Sequence, residues 1–257
     1  MDKSSVAGVL LAVVGIVAGL LMEGGNLGQI LQPTAALIVF GGTMGAVLLQ
    51  FPLSTVVAAF GRLGHLFAAP RKHNDQLVGL LVSFANKARR SGVVSLDSDL
   101  KAIENPFLRQ SLMLAVDGTE PSELRRIMQV SLDSATESEE RLPAVFESAG
   151  GFSPTIGILG AVLGLIQVMQ HLDNIDEVGK GIAVAFVATI YGVGIANLFF
   201  LPFAGKMRIR IREEHLSREM MLEGVTSILE GMNPRMLEIK LAGFLDDPAQ
   251  MKKEKAA

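Results

Sequence analysis

Four stretches of this chain lack charged side chains almost completely, and they limit its fold more than any other feature. They are Val6–Met22, Pro33–Phe51, Phe152–Met169 and Gly181–Phe203. A helix rises about 1.5 Å per residue, so 18 to 20 apolar residues cross a hydrocarbon layer of about 30 Å. Each run therefore reads as a transmembrane helix. Mean hydropathy is +0.41 and 49% of residues are hydrophobic, an excess concentrated in these runs. Val6–Met22 is the shortest and could be taken for the apolar part of a signal peptide. Against that, only Lys3 precedes it, and the acidic, glycine-rich EGGN at 23–26 offers no small-x-small cleavage site.

Charge supplies the orientation. The segment 23–32 has no Lys or Arg, and 170–180 has Asp173, Asp176 and Glu177 against Lys180 alone. Lys206, Arg208, Arg210, Arg212 and Arg218 follow the fourth run; Arg62, Arg71 and Lys72 follow the second. The positive-inside rule puts both termini and the long middle segment in the cytoplasm. The expected fold is an all-α membrane protein with four transmembrane helices and a helical cytoplasmic domain between the second and third. Its parts are a first membrane hairpin (1–51), the cytoplasmic domain (52–151), a second hairpin lining an ion path (152–204) and a cytoplasmic tail (205–257).

Within the middle segment, NDQLVGLLVSFANKARRSG places apolar residues on one helix face from Leu77 to Ala88. Asn74 suits its N-cap and Gly92 its C′ position. Further helices are expected after Ser95 up to Asn105-Pro106, then up to Gly118, then from Thr119 towards Gly150-Gly151, with Pro143 bending the last. The tail should hold a helix over roughly 205–231, closed by Gly231 and Asn233-Pro234. The final ten residues, small and charged, are expected to be disordered.

Glycine dominates the third run. Gly157, Gly160 and Gly164 share one helix face, and Gly181, Ala185, Ala188, Gly192 and Ala196 share one on the fourth. In lipid, small residues allow the close backbone approach that holds helices together. Ordinary packing within one bundle and a sliding surface both fit the spacing. Pro154 is expected in the first turn of its helix, where its missing N–H costs nothing. Pro202 lies near the end of the fourth run. The two prolines mark either helix punctuation or bends.

No run carries Asp, Glu, Lys, Arg or His in its interior. Ion carriers need such groups, or a lining of carbonyls and hydroxyls, at membrane depth. In the third and fourth runs Thr189 stands out, with Tyr191 nearby on another face; a hydroxyl bonded back to the carbonyl four residues earlier is the plain alternative. Any ionisable group must come from a partner. Cysteine is absent, which excludes disulfides and thiolate metal sites. No P-loop, HExxH or GxSxG motif is present. No enzyme activity, cofactor, metal site or nucleic-acid partner is expected.

The segments SPTIGILGAVLGLIQVM (153–169), GIAVAFVATIYGVGIANLFFLPFAGKM (181–207) and ARRSGVVSLDSDLKAIENPF (88–107) resemble the MotA/PomA stator subunits of the bacterial flagellar motor, within the MotA/TolQ/ExbB ion-channel group. Two runs before the middle segment favour the stator branch, since TolQ and ExbB have one. The resemblance implies a homopentamer around a dimer of a single-span, MotB-like subunit that brings the membrane aspartate and a peptidoglycan-binding domain. It implies a multi-pass protein of the bacterial inner membrane, with the third and fourth helices lining the ring against that partner. Pro154 and Pro202 match the prolines that couple ion flow to torque, and Thr189 matches a hydroxyl near the ion path. Sodium-type relatives have threonine where this chain has Ala161 and Ala188, so the expected ion is H+, with Na+ as the alternative. Arg89 and Asp97 match the charged pair that engages the rotor protein FliG, with Arg90 and Asp99 as neighbours of the same kind. A competing reading is a TolQ/ExbB-like energiser of another envelope or defence system.

Overall fold

The computed structural model describes residues 3–66 and 74–245, and among these the regular structure is entirely helical. Arg71, Lys72 and the final ten residues lie outside the described residues, as do the side chains of Lys3 and Asn74. The chain forms two compact units, Met1–Pro70 with Glu139–Arg210 and Arg71–Ser138 with Ile211–Ala257.

The first unit begins with α1, Lys3–Met22. A short 3-10 turn, Leu27–Ile30, follows; it is closed by an Asn26/Gln29 capping box, with the Asn26 side chain accepting from the Gly28 N–H and Gln29 accepting from the Asn26 N–H. The second apolar run comprises α2 (Pro33–Ala36), a π-turn (Leu37–Gly41) and α3 (Gly42–Gln50). Pro33 opens it at the position where a missing N–H is harmless. α4 spans Leu53–Leu66. Three helical stretches are long and apolar enough to cross a membrane: Leu27–Gln50, Pro121–Gln170 and Ile175–Leu229. α1, with its apolar part at Val6–Met22, belongs to a shorter class.

The second unit is a side-chain-packed bundle. It contains α5 (Asn74–Ser91), a 3-10 stretch at Val93–Ala102 and α6 (Pro106–Val116). Gly92 has φ +80°, the left-handed conformation that turns the chain out of α5. The expected helix after Ser95 is thus the tighter 3-10 form, ending where Asn105 caps α6 by accepting from the Phe107 and Leu108 N–H groups. Leu81, Leu96, Leu108, Leu112, Leu124, Met128, Met220, Leu237 and Leu241 are fully buried in one cluster.

The largest departure from the sequence reading is α7, which runs unbroken over Pro121–Gln170. It does not stop at Gly150-Gly151, it continues past Pro143, and Pro154 lies deep inside it rather than in a first turn. An interior proline costs about 3 kcal/mol, through one lost hydrogen bond and a ring clash with the carbonyl four residues back. Ending the helix here would instead leave a whole turn of backbone groups unpaired at the edge of an apolar run, where each is expensive. The carbonyl that Pro154 deprives is that of Gly150, whose bare backbone packs on the Leu201 side chain; a Cβ there would lie 2.6 Å from it.

α8 (Ile175–Ile195) is capped by Asn174 and passes through a π-turn, Ala196–Phe200, into α9 (Leu201–Leu229). The Leu201 N–H reaches back to the Ala196 carbonyl, the wider spacing of a π-turn. Pro202, next in line, has no N–H to give to the Leu198 carbonyl, so the loosened turn sits where the regular ladder fails anyway. The tail helix therefore begins earlier than expected. α10 (Pro234–Ala242), capped by Asn233, was not expected from the sequence.

Candidate functional site

α7 and α8 meet along the two small-residue seams. A Cβ built on Gly157 would lie 2.9 Å from the Ala188 carbonyl oxygen and 3.2 Å from the Gly192 Cα. One on Gly160 would lie 2.8 Å from the Ala188 Cβ; one on Gly164, 2.7 Å from the Gly181 carbonyl oxygen and 2.8 Å from the Ala185 nitrogen. Gly181 and Gly192 face the same constraint from the other side, at 2.9 Å from the Gly164 oxygen and 2.5 Å from the Ser153 oxygen. The obstacles are mostly backbone, which cannot swing aside. Gly157, Gly160, Gly164, Gly181 and Gly192 thus form one contact within a single chain, and all five are buried.

Two polar contacts lock this seam, and the sequence reading assigned neither. Ser153, fully buried, donates from Oγ to the Gly192 carbonyl at 3.0 Å. Gly192 O also receives the Ala196 N–H that opens the π-turn. One carbonyl therefore joins the residue before Pro154 to the turn that leads to Pro202. Tyr191 donates from its phenol to the Ile30 carbonyl at 2.5 Å and accepts from the Gln32 N–H at 3.3 Å. Its ring lies 6.0 Å from Phe40 and packs with Ala35, Val39, Val187 and Ala188. Two orphan backbone groups before the second span are thus satisfied by the chain's single tyrosine. A lone phenol in an apolar run, which must find a partner when buried, was the available signal. Thr43 was also missed: its hydroxyl is buried in α3 and has no hydrogen-bond partner among the described residues.

Thr189 is half-buried and its hydroxyl donates to the Ala185 carbonyl, four residues back, at 3.2 Å. That bond engages the proton and leaves the oxygen lone pairs for an acceptor role. Ala161 is half-buried; Ala188 is fully buried, against Ala35 and Val39 of the second run. The structure does not bring Ala188 onto the same exposure as Thr189. Ile158, Leu159, Val162, Leu163 and Ile166 of α7, with Phe186, Ile190 and Val193 of α8, are exposed. Such an expanse of bare large apolar side chains needs lipid or another chain to cover it. Among the described residues no cluster of His, Asp and Glu could hold a metal ion.

The loop-side charges lie in the second unit. Arg89 and Arg90, in the last turn of α5, and Asp97 are exposed. Asp99 is half-buried and paired with Lys87 at 2.6 Å, which also reaches Ser98. The structure thus ties Asp99 to α5 and leaves the other three side chains displayed. Deeper in this unit Glu223 pairs with Arg125 at 2.8 Å and with Lys240. Burial works to raise the Glu223 pKa, but hydrogen bonds and charge from Lys240 and Arg125 outweigh it and hold the carboxyl below the ordinary glutamate value.

The Motility protein A N-terminal family model matches residues 6–92, and the MotA/TolQ/ExbB proton channel family model matches residues 99–220. Motility protein A of Bacillus subtilis is 35% identical, over 98% of this chain and 94% of its own length. The solved flagellar MotAB stator complex from Bacillus subtilis contains a chain 34% identical that superposes with a TM-score of 0.90, covering 100% of both chains. A chain of C. jejuni MotAB superposes equally well, at 33% identity over 96% of this chain and 98% of its own. With two family matches in tandem and relatives alike over nearly the whole length, the chain belongs to the MotA/TolQ/ExbB proton channel family, in its Motility protein A branch.

Proposed function

We propose that this chain is the ion-driven stator subunit of a bacterial flagellar motor, forming with a MotB-like partner a proton channel whose ion flow is turned into torque on the rotor. The observation that carries this is the likeness over 100% of both chains to the Bacillus subtilis MotAB stator complex, together with two helices, α7 and α8, that carry no Asp, Glu, Lys, Arg or His through the seam. A path without a carboxylate needs a partner to bring one. The assembly is a homopentamer around a dimer of the single-span partner, in the inner membrane, with four spans and both termini cytoplasmic. α1 completes the four: its 20 residues measure about 30 Å. Pro154 and Pro202 are the coupling prolines, and the displayed Arg89, Arg90 and Asp97, with Asp99 beside them, form the FliG-facing surface.

One elementary charge crossing 100 mV releases about 2.3 kcal/mol. A rim contact of about 1 kcal/mol or less, such as an exposed Arg89 or Asp97 pairing with a rotor charge, is breakable at each step. H+ is the driving ion because a dehydrated Na+ needs several oxygen ligands, and Ala161 and Ala188 withhold two hydroxyls from the neighbourhood of Thr189.

The test is rotation in a strain lacking its own stators, given this chain with its partner. Speed should follow the proton gradient, collapse with a protonophore and ignore replacement of sodium by potassium. Thr189→Ala should slow the motor and Thr189→Ser should spare it. Proton flux in liposomes holding this chain alone should match empty liposomes. Rotation that tracks sodium and survives the protonophore would overturn the choice of ion; no rotation with any partner would overturn the stator reading.

A further inference from the structure

Beside the π-turn at Ala196–Phe200 the first unit contains a groove of about 300 Å³. Gly8, Val9 and Ala12 of α1 line it, with Leu66, and Asn197, Leu198, Pro202, Phe203 and Lys206 complete it. Its volume is at the lower end for ligand pockets, about 300–1,000 Å³.

We propose that this groove holds one acyl chain of an anionic phospholipid of the cytoplasmic leaflet, with the lipid phosphate at the Lys206 ammonium. The lining explains the acyl chain. Gly8 and Ala12 bring almost no side chain to their wall, and a Cβ on Gly8 would meet nothing within 4 Å. The one amide in the lining, Asn197, donates to its own helix at the Val193 carbonyl, 2.9 Å away. The lining is mostly apolar, and hydrocarbon is the filler a bilayer supplies.

Charge identifies the headgroup. Asn197 and Lys206 are separated along the helix by about 13 Å, so the groove runs from membrane depth to the first cation of the Lys206, Arg208, Arg210, Arg212 series. That series marks the cytoplasmic boundary, where each cation near the surface strengthens the hold on an anionic lipid about fivefold. A zwitterionic lipid brings the same chain without the net charge. The lipid would lie against Leu198 and Pro202, where the proline ring removes one N–H from the helix ladder. The inference rests on the membrane orientation proposed above.

The experiment uses the full chain purified with its partner subunit, and mass spectrometry of the lipids that stay bound. Phosphatidylglycerol should be enriched over phosphatidylethanolamine relative to the source membrane. Lys206→Ala should lower retained phosphatidylglycerol about fivefold, and Lys206→Arg should restore it. Ala12→Leu, which fills the groove from α1, should lower both lipids. Retained lipid of bulk composition, or retention unchanged in both Lys206→Ala and Ala12→Leu, would overturn the proposal. So would ready disulfide cross-linking between two copies of an Ala12→Cys chain, which would show a second copy in the groove; the absence of native cysteine makes that readout clean. Normal rotation without enriched lipid sinks this inference alone, whereas lipid retention in a chain that never drives rotation sinks the stator reading alone.

Discussion

The α7–α8 seam and the buried cluster of the second unit are both helix-on-helix contacts, yet opposite residues make them. The cluster is built from leucine, methionine and phenylalanine side chains that leave water on folding, at about 25 cal/mol per Å² of apolar area. The seam is built from residues that have almost no side chain, because in lipid there is no water to leave. Large residues are therefore the glue in one region and the outward-facing surface in the other: Leu124 is fully buried, and Leu163 of the same helix is exposed. The lesson is that a helix 50 residues long can obey two packing rules in succession.

The sharpest way to break this contrast is to add volume to a glycine in each region. Gly192→Leu places a side chain where even a Cβ lies 2.5 Å from the Ser153 oxygen, so α7 and α8 must separate, and rotation and partner copurification should both be lost. Gly224→Ala in the second unit meets the Leu81 side chain, its Cδ1 at 2.7 Å and its Cγ at 3.3 Å, and no backbone among the three nearest atoms. A side chain can give by a few tenths of an ångström where backbone cannot, and alanine favours the helix by about 1 kcal/mol; motility should stay far closer to normal than in Gly192→Leu. If the two variants behave alike in a swimming assay, the backbone-against-backbone account of the seam fails.

Removing volume should rank the regions the other way. Leu112→Ala, at a fully buried site, should destabilise the second unit by about 2–5 kcal/mol. Leu163→Ala, at an exposed site on α7, should leave the first unit within about 0.5 kcal/mol of the parent. Hydrogen exchange of the whole complex, read over residues 74–138 for the first variant and 139–210 for the second, compares them.

Tyr191→Phe keeps the ring among Ala35, Val39 and Phe40 but strands the Ile30 carbonyl and the Gln32 N–H. A loss of about 1–3 kcal/mol is expected for the unsatisfied groups, seen as a lower thermal midpoint of the purified complex and fewer active stators per motor. An unchanged midpoint would show that water or lipid satisfies those groups instead.

Arg89→Asp tests the displayed surface rather than either packing rule. Stability should move by less than about 0.5 kcal/mol, while swimming speed falls and the partner still copurifies. Normal swimming would remove Arg89 from the rotor-facing surface.

The smallest effect concerns pH. Because the Glu223 carboxyl is held below its ordinary value, its contribution is fully present above the unfolded-state pKa of about 4.3 and is lost as pH falls through the lower folded value. The second unit should lose protection as pH drops below about 4.3, and Glu223→Gln should flatten that part of the profile. An identical acid limb in the variant would remove Glu223 as its source.

The amino-acid sequence by itself determined the all-helical class, the apolar runs and the small residues that pair in the seam. These are legible because they are periodic or compositional: a charge-free run and a glycine every third or fourth residue carry their meaning without a partner. Tertiary structure alone decided that α7 ignores Pro143 and Pro154. A proline's local cost is readable from sequence, but the cost of stopping the helix there depends on the apolar surroundings of its ends. It also decided where Ser153 and Tyr191 send their hydrogens. Gly192 is 39 positions from Ser153, and Ile30 is 161 from Tyr191. No local pattern encodes such pairings, because the donor and acceptor become neighbours only once the helices have packed.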